Sequence, residues 1–225
     1  WEMTTIPNEP YPRYGDFPSK DVWYASAGMW NSTDSSSSKL LEDRVFEHQL
    51  THRLKVKDDK KSFHDGHVVA GTDGWYGSLY KSTDAGATWS NVYNSPAGET
   101  WYFNQISCPT NDMCLAVGEG QQDGSPYVVA VVSNDGGATW NKTFESKDYP
   151  SLMSCEMTSA TNGYIVPATA DRVTGAAFLV TEDAGQTWTL SQTLDKCYCM
   201  DVDSVDGFGV ASCLSQSSGA LAMYQ

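Results

Sequence analysis

Six carboxylates stand where the chain reads as inter-strand loops or strand starts: Asp16, Asp65, Asp73, Glu119, Asp171 and Asp201. Two carboxyl groups at a suitable separation, one protonated and one ionised, suffice to hydrolyse a glycosidic bond. Linear spacing pairs none of them, and acids in solvated turns are the commoner use of such residues. A second cluster is histidine: His48, His52, His64 and His67. Strand alternation puts His64 and His67 on opposite faces, which argues against a shared metal. The stretch "DVDSVDG" (201–207) has acids at its first and third positions, but Val205 and Asp206 break the pattern of a calcium loop. No nucleophilic serine motif or phosphate-binding glycine loop occurs. Neither a metal nor a cofactor is expected.

The elements that must position any such site are read from internal repetition. Three stretches share the pattern Ser/Thr-x-Asp-x-Gly-x-Thr-Trp: Ser82, Asp84, Gly86, Thr88, Trp89; Ser133, Asp135, Gly137, Thr139, Trp140; and Thr181, Asp183, Gly185, Thr187, Trp188. Their tryptophans are 51 and 48 residues apart, a period that suits one four-stranded unit. Between them, β-branched and aromatic segments bounded by Gly, Asp, Asn and Pro recur in the same order. Second strands align as "VWYASAG", "HVVAGTDG", "MCLAVGEG", "GYIVPATA" and "GFGVASC"; "KLLEDRVFEHQL" (39–50) is the one candidate helix. The physical logic of the repeat is structural. The Asp can accept N–H bonds within a turn, the Gly permits positive φ, the Thr ties the turn down, and the Trp packs between sheets.

These three boxes resemble the Asp-box, or BNR, repeats of β-propellers of the sialidase, sortilin and photosystem II assembly factor type. The resemblance covers residues 63–213 well and 15–62 poorly. It implies an all-β propeller of four-stranded antiparallel blades, with each box between the third and fourth strands, on the rim and away from the central pocket. Its expected organisation is one domain over 1–225: a terminal strand completing the last blade (1–14), a divergent blade (15–62), Asp-box blades at 63–100, 101–148 and 149–195, and an incomplete blade (196–225). Trp1 reads as the end of a box, and the chain stops where the next would begin. Five blades of about 45 residues would then close as a ring; the alternative is a fragment of a six- to eight-bladed propeller. Sialidase catalysis does not carry over. An arginine triad and an Arg-Ile-Pro motif would be needed, whereas the arginines are Arg13, Arg44, Arg53 and Arg172 and the nearest sequence is "YPRYGD".

Charge narrows the partners. With 28 acidic residues against 14 Lys plus Arg, a net charge of −14 disfavours nucleic acid and anionic lipid, and no apolar run approaches the ~20 residues of a membrane span. Cys108 and Cys114 flank a short Pro/Asn/Asp turn and suit a disulfide; the pairing of Cys155, Cys197, Cys199 and Cys213 is open. Zinc would want a second Cys/His pair that "CYC" and Cys213 do not supply in sequence. The sequons at Asn31 and Asn141 add to the expectation of a secreted or lumenal glycoprotein. No signal peptide is seen and the chain opens on Trp, so a processed chain or a fragment is expected.

Aromatics that the boxes do not explain complete the list: Trp30, Trp75, Tyr76, Trp101, Tyr102 and Tyr127. Such residues flanked by Gly, Glu and Asp stack on sugars or anchor protein contacts, while inter-blade packing is their structural use. The expected function is a non-catalytic recognition or scaffold module for a protein or glycan ligand, within a larger assembly or alone. The alternative is a glycoside hydrolase whose catalytic residues lie partly outside this chain.

Overall fold

Fifteen antiparallel strands form four sheets among the residues described by the structure, a computed structural model covering residues 4–7, 9, 11–31, 74–169, 175–195, 197–205, 208–215 and 221–224. The first sheet is β1 (Pro12–Asp16), β2 (Trp23–Asn31), β3 (Gly74–Ser82) and β4 (Ser90–Asn94). The second is β5 (Thr100–Ser107), β6 (Cys114–Gln122), β7 (Ser125–Ser133) and β8 (Asn141–Ser146). The third is β9 (Leu152–Met157), β10 (Gly163–Pro167), β11 (Gly175–Thr181) and β12 (Thr189–Asp195). The fourth holds β13 (Cys197–Val205), β14 (Phe208–Ser215) and β15 (Leu221–Tyr224). Each sheet is a meander, and the first strands β1, β5, β9 and β13 adjoin one another in series.

Alternation along the strands shows why the sheets stack. In β7, Val128, Ala130 and Val132 face the third sheet, where they meet Leu152, Ile165 and Leu179, while Val129 and Val131 face the first sheet and join Tyr24, Leu79, Trp101 and Phe103. All five β7 residues are fully buried. A strand apolar at consecutive positions needs cover on both faces, and a sheet on either side supplies it. The third and fourth sheets meet through Val166, Ala176 and Phe178 against Cys199, Val202 and Ala211. Bulges recur at matching places in the third-to-fourth strand pairs, at Leu79/Tyr80, Ala130/Val131 and Phe178/Leu179, so the sequence period is also a geometric one.

The turn after the third strand of each four-stranded sheet is built by one hydroxyl. Ser82 Oγ donates to Asp84 Oδ1 (2.8 Å) and accepts the Gly86 N–H (2.8 Å); Asp84 in turn accepts the Thr88 N–H (2.8 Å) and hydroxyl (2.6 Å). The same bonds join Ser133, Asp135, Gly137 and Thr139, and again Thr181, Asp183, Gly185 and Thr187. Gly86, Gly137 and Gly185 have φ of +80°, +82° and +74°. A Cβ on Gly137 would stand 3.2 Å from Tyr24 and one on Gly185 2.8 Å from Val132, both on the preceding sheet. Close approach and backbone conformation therefore demand glycine together. Trp140 reaches back in the same way to Tyr93 of the first sheet, 6.3 Å between centroids. The turns are also anchored to their own sheet, through Ala85 N–H to Asp21 O, Gly136 N–H to Asp112 O and Ala184 N–H to Thr161 O. Hydrogen bonds from Thr139 and Thr187 hold the carboxyls of Asp135 and Asp183 down to about 2, and those from Thr88 and Ser82 lower Asp84.

Three expectations need correction. The boundary drawn at residue 62 does not separate two sheets, because β2 pairs with β3 along its whole length, from Trp23↔Ser82 to Asn31↔Gly74. The boundary at residue 14 cuts through β1, the inner strand of that same sheet. Four sheets rather than five units are thus present among the described residues. The long segment between β2 and β3 obscured this pairing in the sequence; it contains the candidate helix, the histidine cluster, Asp65 and Asp73, all outside the described residues, as is Asp171. The third correction concerns Trp101 and Tyr127. Both are buried, Trp101 against Phe103 (5.0 Å) and Tyr93 (6.3 Å) with its indole N–H donated to Glu99, and Tyr127 in the same cluster with its hydroxyl on Glu145. Inter-sheet packing, with its larger area of apolar contact, has claimed these two rings.

Two outcomes follow for the turns. Ser133→Ala leaves the buried Gly137 N–H and the Asp135 carboxylate without their shared partner, and urea unfolding should show a loss of about 1–3 kcal/mol, against under about 0.5 kcal/mol for Thr83→Ala at an exposed position of the first turn. Because the box carboxyls titrate below their unfolded values, their contribution is complete above about pH 4 and is lost as pH falls towards 2. Thermal melts between pH 5 and 2 should drop over that window, and Asp135→Asn should flatten part of the drop.

Candidate functional site

Because β1, β5, β9 and β13 run in the same sense, their starts gather at one end of the stack and their exits at the other. At the starts, Trp75 and Tyr102 lie 4.6 Å apart between centroids, tilted by 41°. The Arg13 guanidinium sits 4.1 Å over the Tyr102 ring, held by Nε–H to Gly28 O (3.0 Å) and by Asn104 Oδ1 (3.4 Å). Tyr102 donates its hydroxyl to Glu119 Oε1 (2.9 Å), and the other Glu119 oxygen accepts the Leu152 N–H (2.9 Å) and the Ser151 hydroxyl. Ser151 Oγ is in turn 3.0 Å from Tyr198 OH on β13. One continuous polar path therefore crosses all four sheets, with an aromatic pair and a cation at its first-sheet end.

Glycine makes this crowding possible. Gly118 and Gly120 sit in β6 where a Cβ would stand 2.2 Å from Tyr102 O and 2.1 Å from Thr100 O, so β6 and β5 approach more closely than side chains would allow. Tyr76, beside Trp75 on β3, is tied to buried Glu9, which also accepts from Tyr80 OH (3.1 Å) and the Tyr11 N–H (3.0 Å). Burial raises the Glu9 carboxyl above its ordinary value.

The strand exits hold the acids. A cavity of about 290 Å³ is lined by Tyr14, Asp16, Gln105, Ser107, Glu156 and Asp203, among others. Burial pushes the Glu156 carboxyl up to about 7, and the nearby charges of Asp203 and Asp16 add to the effect; hydroxyl donation from Ser107 (3.1 Å) and Ser204 (3.3 Å) opposes it. Asp16 accepts the amide N–H of Cys108 and of Phe17 (2.7 Å). Asp201 accepts from Gln105 Nε2 (3.1 Å), the Ser154 hydroxyl (3.4 Å) and its neighbour's Val202 N–H (3.0 Å). A carboxyl whose titration is raised towards neutral pH in a cavity with other acids is an electrostatic arrangement that acid–base hydrolysis uses.

The structure thus puts Asp16 at the exits, Asp201 midway along β13 against Gln105 and Ser154, and Glu119 at the starts. Trp75 and Tyr102 come together at the starts, Tyr76 follows Trp75 in β3 but is tied to Glu9, and Trp30 pairs with Trp75 in the β2–β3 register. Ser151, Tyr198 and Glu156 were not singled out from sequence, and Arg13 and Asp203 were weighed there only for a sialidase triad and a calcium loop. For Glu156 a signal existed: it lies on β9 where apolar alternation in "LMSCEM" is broken by a charge. Cys108–Cys114 is a disulfide, as its turn predicts, and a second joins Cys199 to Cys213. Asn141 is exposed at the start of β8, and Asn31 ends β2.

No protein-family profile and no curated protein matches the sequence. Among solved structures, the chain is similar to YCF48 bound to D1 peptide, with TM-score 0.57 and 12% identity over 99% of this chain and 54% of that one. It therefore spans about half the length of that protein. Weaker overlaps are with a Hadza microbial sialidase (TM-score 0.49, 14% identity, 86% and 37% coverage) and a Penicillium chrysogenum alpha-L-arabinanase complexed with arabinobiose (0.47, 13%, 98% and 62%). The chain is an all-β propeller of four-stranded antiparallel blades, to which each four-stranded sheet above contributes one.

Replacing the half-buried Glu156 gives a direct test of the exit cavity. Glu156 binds its proton more tightly folded than unfolded, so the stability it contributes is complete below about pH 4.5 and is lost as pH rises through 7. Glu156→Gln should therefore be more stable than the unaltered protein at pH 8 by about 1–2 kcal/mol, allowing for solvent screening of a half-exposed group, and equal to it near pH 4. Chemical denaturation at the two pH values measures this.

Proposed function

We propose that the chain is a non-catalytic recognition or scaffold propeller of the Asp-box (BNR) type, working in an oxidising extracellular or lumenal compartment. Its ligand is an extended protein segment or glycan that lies across the strand starts. The observation that carries this reading is the Trp75–Tyr102 pair with Arg13 stacked on it and Glu119 beneath it. Aromatic faces bordered by a cation and an acid offer stacking to a sugar ring or a side chain, and polar groups that fix its orientation. Both disulfides suit the compartment. A net charge of −14 favours a neutral or basic ligand. A solved propeller of similar fold holds a peptide, which is compatible with this use of the fold and does not define the ligand here.

The second reading is hydrolysis of a glycoside at the strand exits, and it is favoured by one observation, the carboxyl of Glu156 near 7 beside Asp16 and Asp203. The two readings separate cleanly. Screened on a glycan array and a displayed peptide library, the protein should bind members of one set without turning over chromogenic glycosides. Trp75→Ala should weaken that binding by about tenfold or more, as loss of a central aromatic anchor does, and Glu156→Gln should leave it unchanged. Turnover abolished by Glu156→Gln would replace the first reading with the second.

A further inference from the structure

Cys197 and Cys199 are two residues apart on β13 and so share a face, and Cys213 lies directly opposite Cys199 on β14. The three sulfurs all lie within 4.8 Å of one another, and all three residues are buried, at 0%, 2% and 0% exposure. Two of them form the Cys199–Cys213 disulfide, while the Cys197 thiol points its hydrogen towards Leu194 O at 3.7 Å. Sequence spacing alone argues against a metal here, because "CYC" and a distant cysteine make no ligand pattern; strand register makes one.

We infer that Cys197, Cys199 and Cys213 form a redox-gated site for a soft monovalent metal ion, Cu(I). A dithiol reductant converts the Cys199–Cys213 disulfide into two thiols and leaves as its own cyclic disulfide. The three thiols then bind one Cu(I) through sulfur and release up to three protons. Three thiolates bound at about 2.3 Å from one metal stand about 4 Å apart, so a cluster already within 4.8 Å needs only small side-chain shifts. Thiolate sulfur selects soft ions. No fourth His, Cys, Asp or Glu joins the group among the described residues, which suits an ion content with three ligands better than Zn(II), which takes four. The surrounding Val166, Phe178, Val202 and Ala211 exclude water and hard oxygen ligands. In the oxidised state the disulfide occupies two of the three sulfurs, so the site opens only when the compartment turns reducing or a thiol donor arrives.

The test uses the full chain, reduced with a dithiol under argon, desalted and loaded with Cu(I), then titrated with a Cu(I) chelator. The intact protein should retain one Cu(I) at chelator concentrations at least tenfold above those that strip Cys197→Ser, and its retention should strengthen as pH rises. Cys155→Ser, whose thiol is buried in the third sheet, should behave like the intact protein, and the Cys108/Cys114 pair contributes equally to all three. Should Cys197→Ser fold poorly, X-ray absorption on the intact loaded protein serves alone, and three sulfur neighbours about the copper are expected. Equal retention by the intact and Cys197→Ser proteins, or two sulfur neighbours, overturns the assignment.

Discussion

A single hydroxyl at the end of the third strand in each four-stranded sheet carries more of this structure than its size suggests. Ser82, Ser133 or Thr181 donates to the box aspartate and accepts a glycine N–H, which closes a turn whose glycine can then lie flat on a neighbour. Without the hydroxyl the glycine amide would be buried and unpaired, a costly state. With it, Gly137 approaches Tyr24 and Gly185 approaches Val132, each on the preceding sheet. The turn therefore closes a hairpin within one sheet and locks that sheet against the last. The exposed aspartate strengthens the turn electrostatically; its low titration range reflects donated hydrogen bonds rather than any catalytic poise.

That stacking decides where chemistry can occur. Sheets locked face to face bury both sides of β7 and bring β1, β5, β9 and β13 side by side, so polar residues of these strands face one another instead of solvent. The strand starts collect aromatic rings, Arg13 and Glu119 into one hydrogen-bonded path, whereas the exits collect carboxyls with no cation among the lining residues. The two ends thus differ in kind: the first offers surfaces for stacking, and the second stores an acid whose titration burial raises. Recognition at one end and an unusual carboxyl at the other are compatible in a single rigid stack.

Local chemistry was legible in the sequence and long-range register was not. The box turns depend on residues within seven positions of one another, so their pattern is visible at once, and the Cys108–Cys114 link follows from a six-residue turn. The first sheet is assembled across the long segment between β2 and β3, and no local pattern announces that Trp23 will face Ser82. Trp101 and Tyr127 look like surface anchors because polar residues and glycines lie near them in sequence, yet Glu99, two residues before Trp101, and Glu145, on the strand beside Tyr127, accept their polar hydrogens at the edge of the core. Cys213 and Glu156 acquire their partners only through pairing between strands and sheets, the level at which spacing along the chain carries no information.

Amide hydrogen exchange, resolved by residue, bears most directly on the claim that the box hydroxyls lock the sheets together. The amides of Gly137 and Gly185 sit in turns whose flanking residues are exposed or half-buried, yet they should exchange as slowly as those of the central strands β6 and β7, because they open only when the stack opens. Exchange at the rate of Gly98 and Gly124, in exposed loops, would contradict the claim and reduce the boxes to ordinary surface turns.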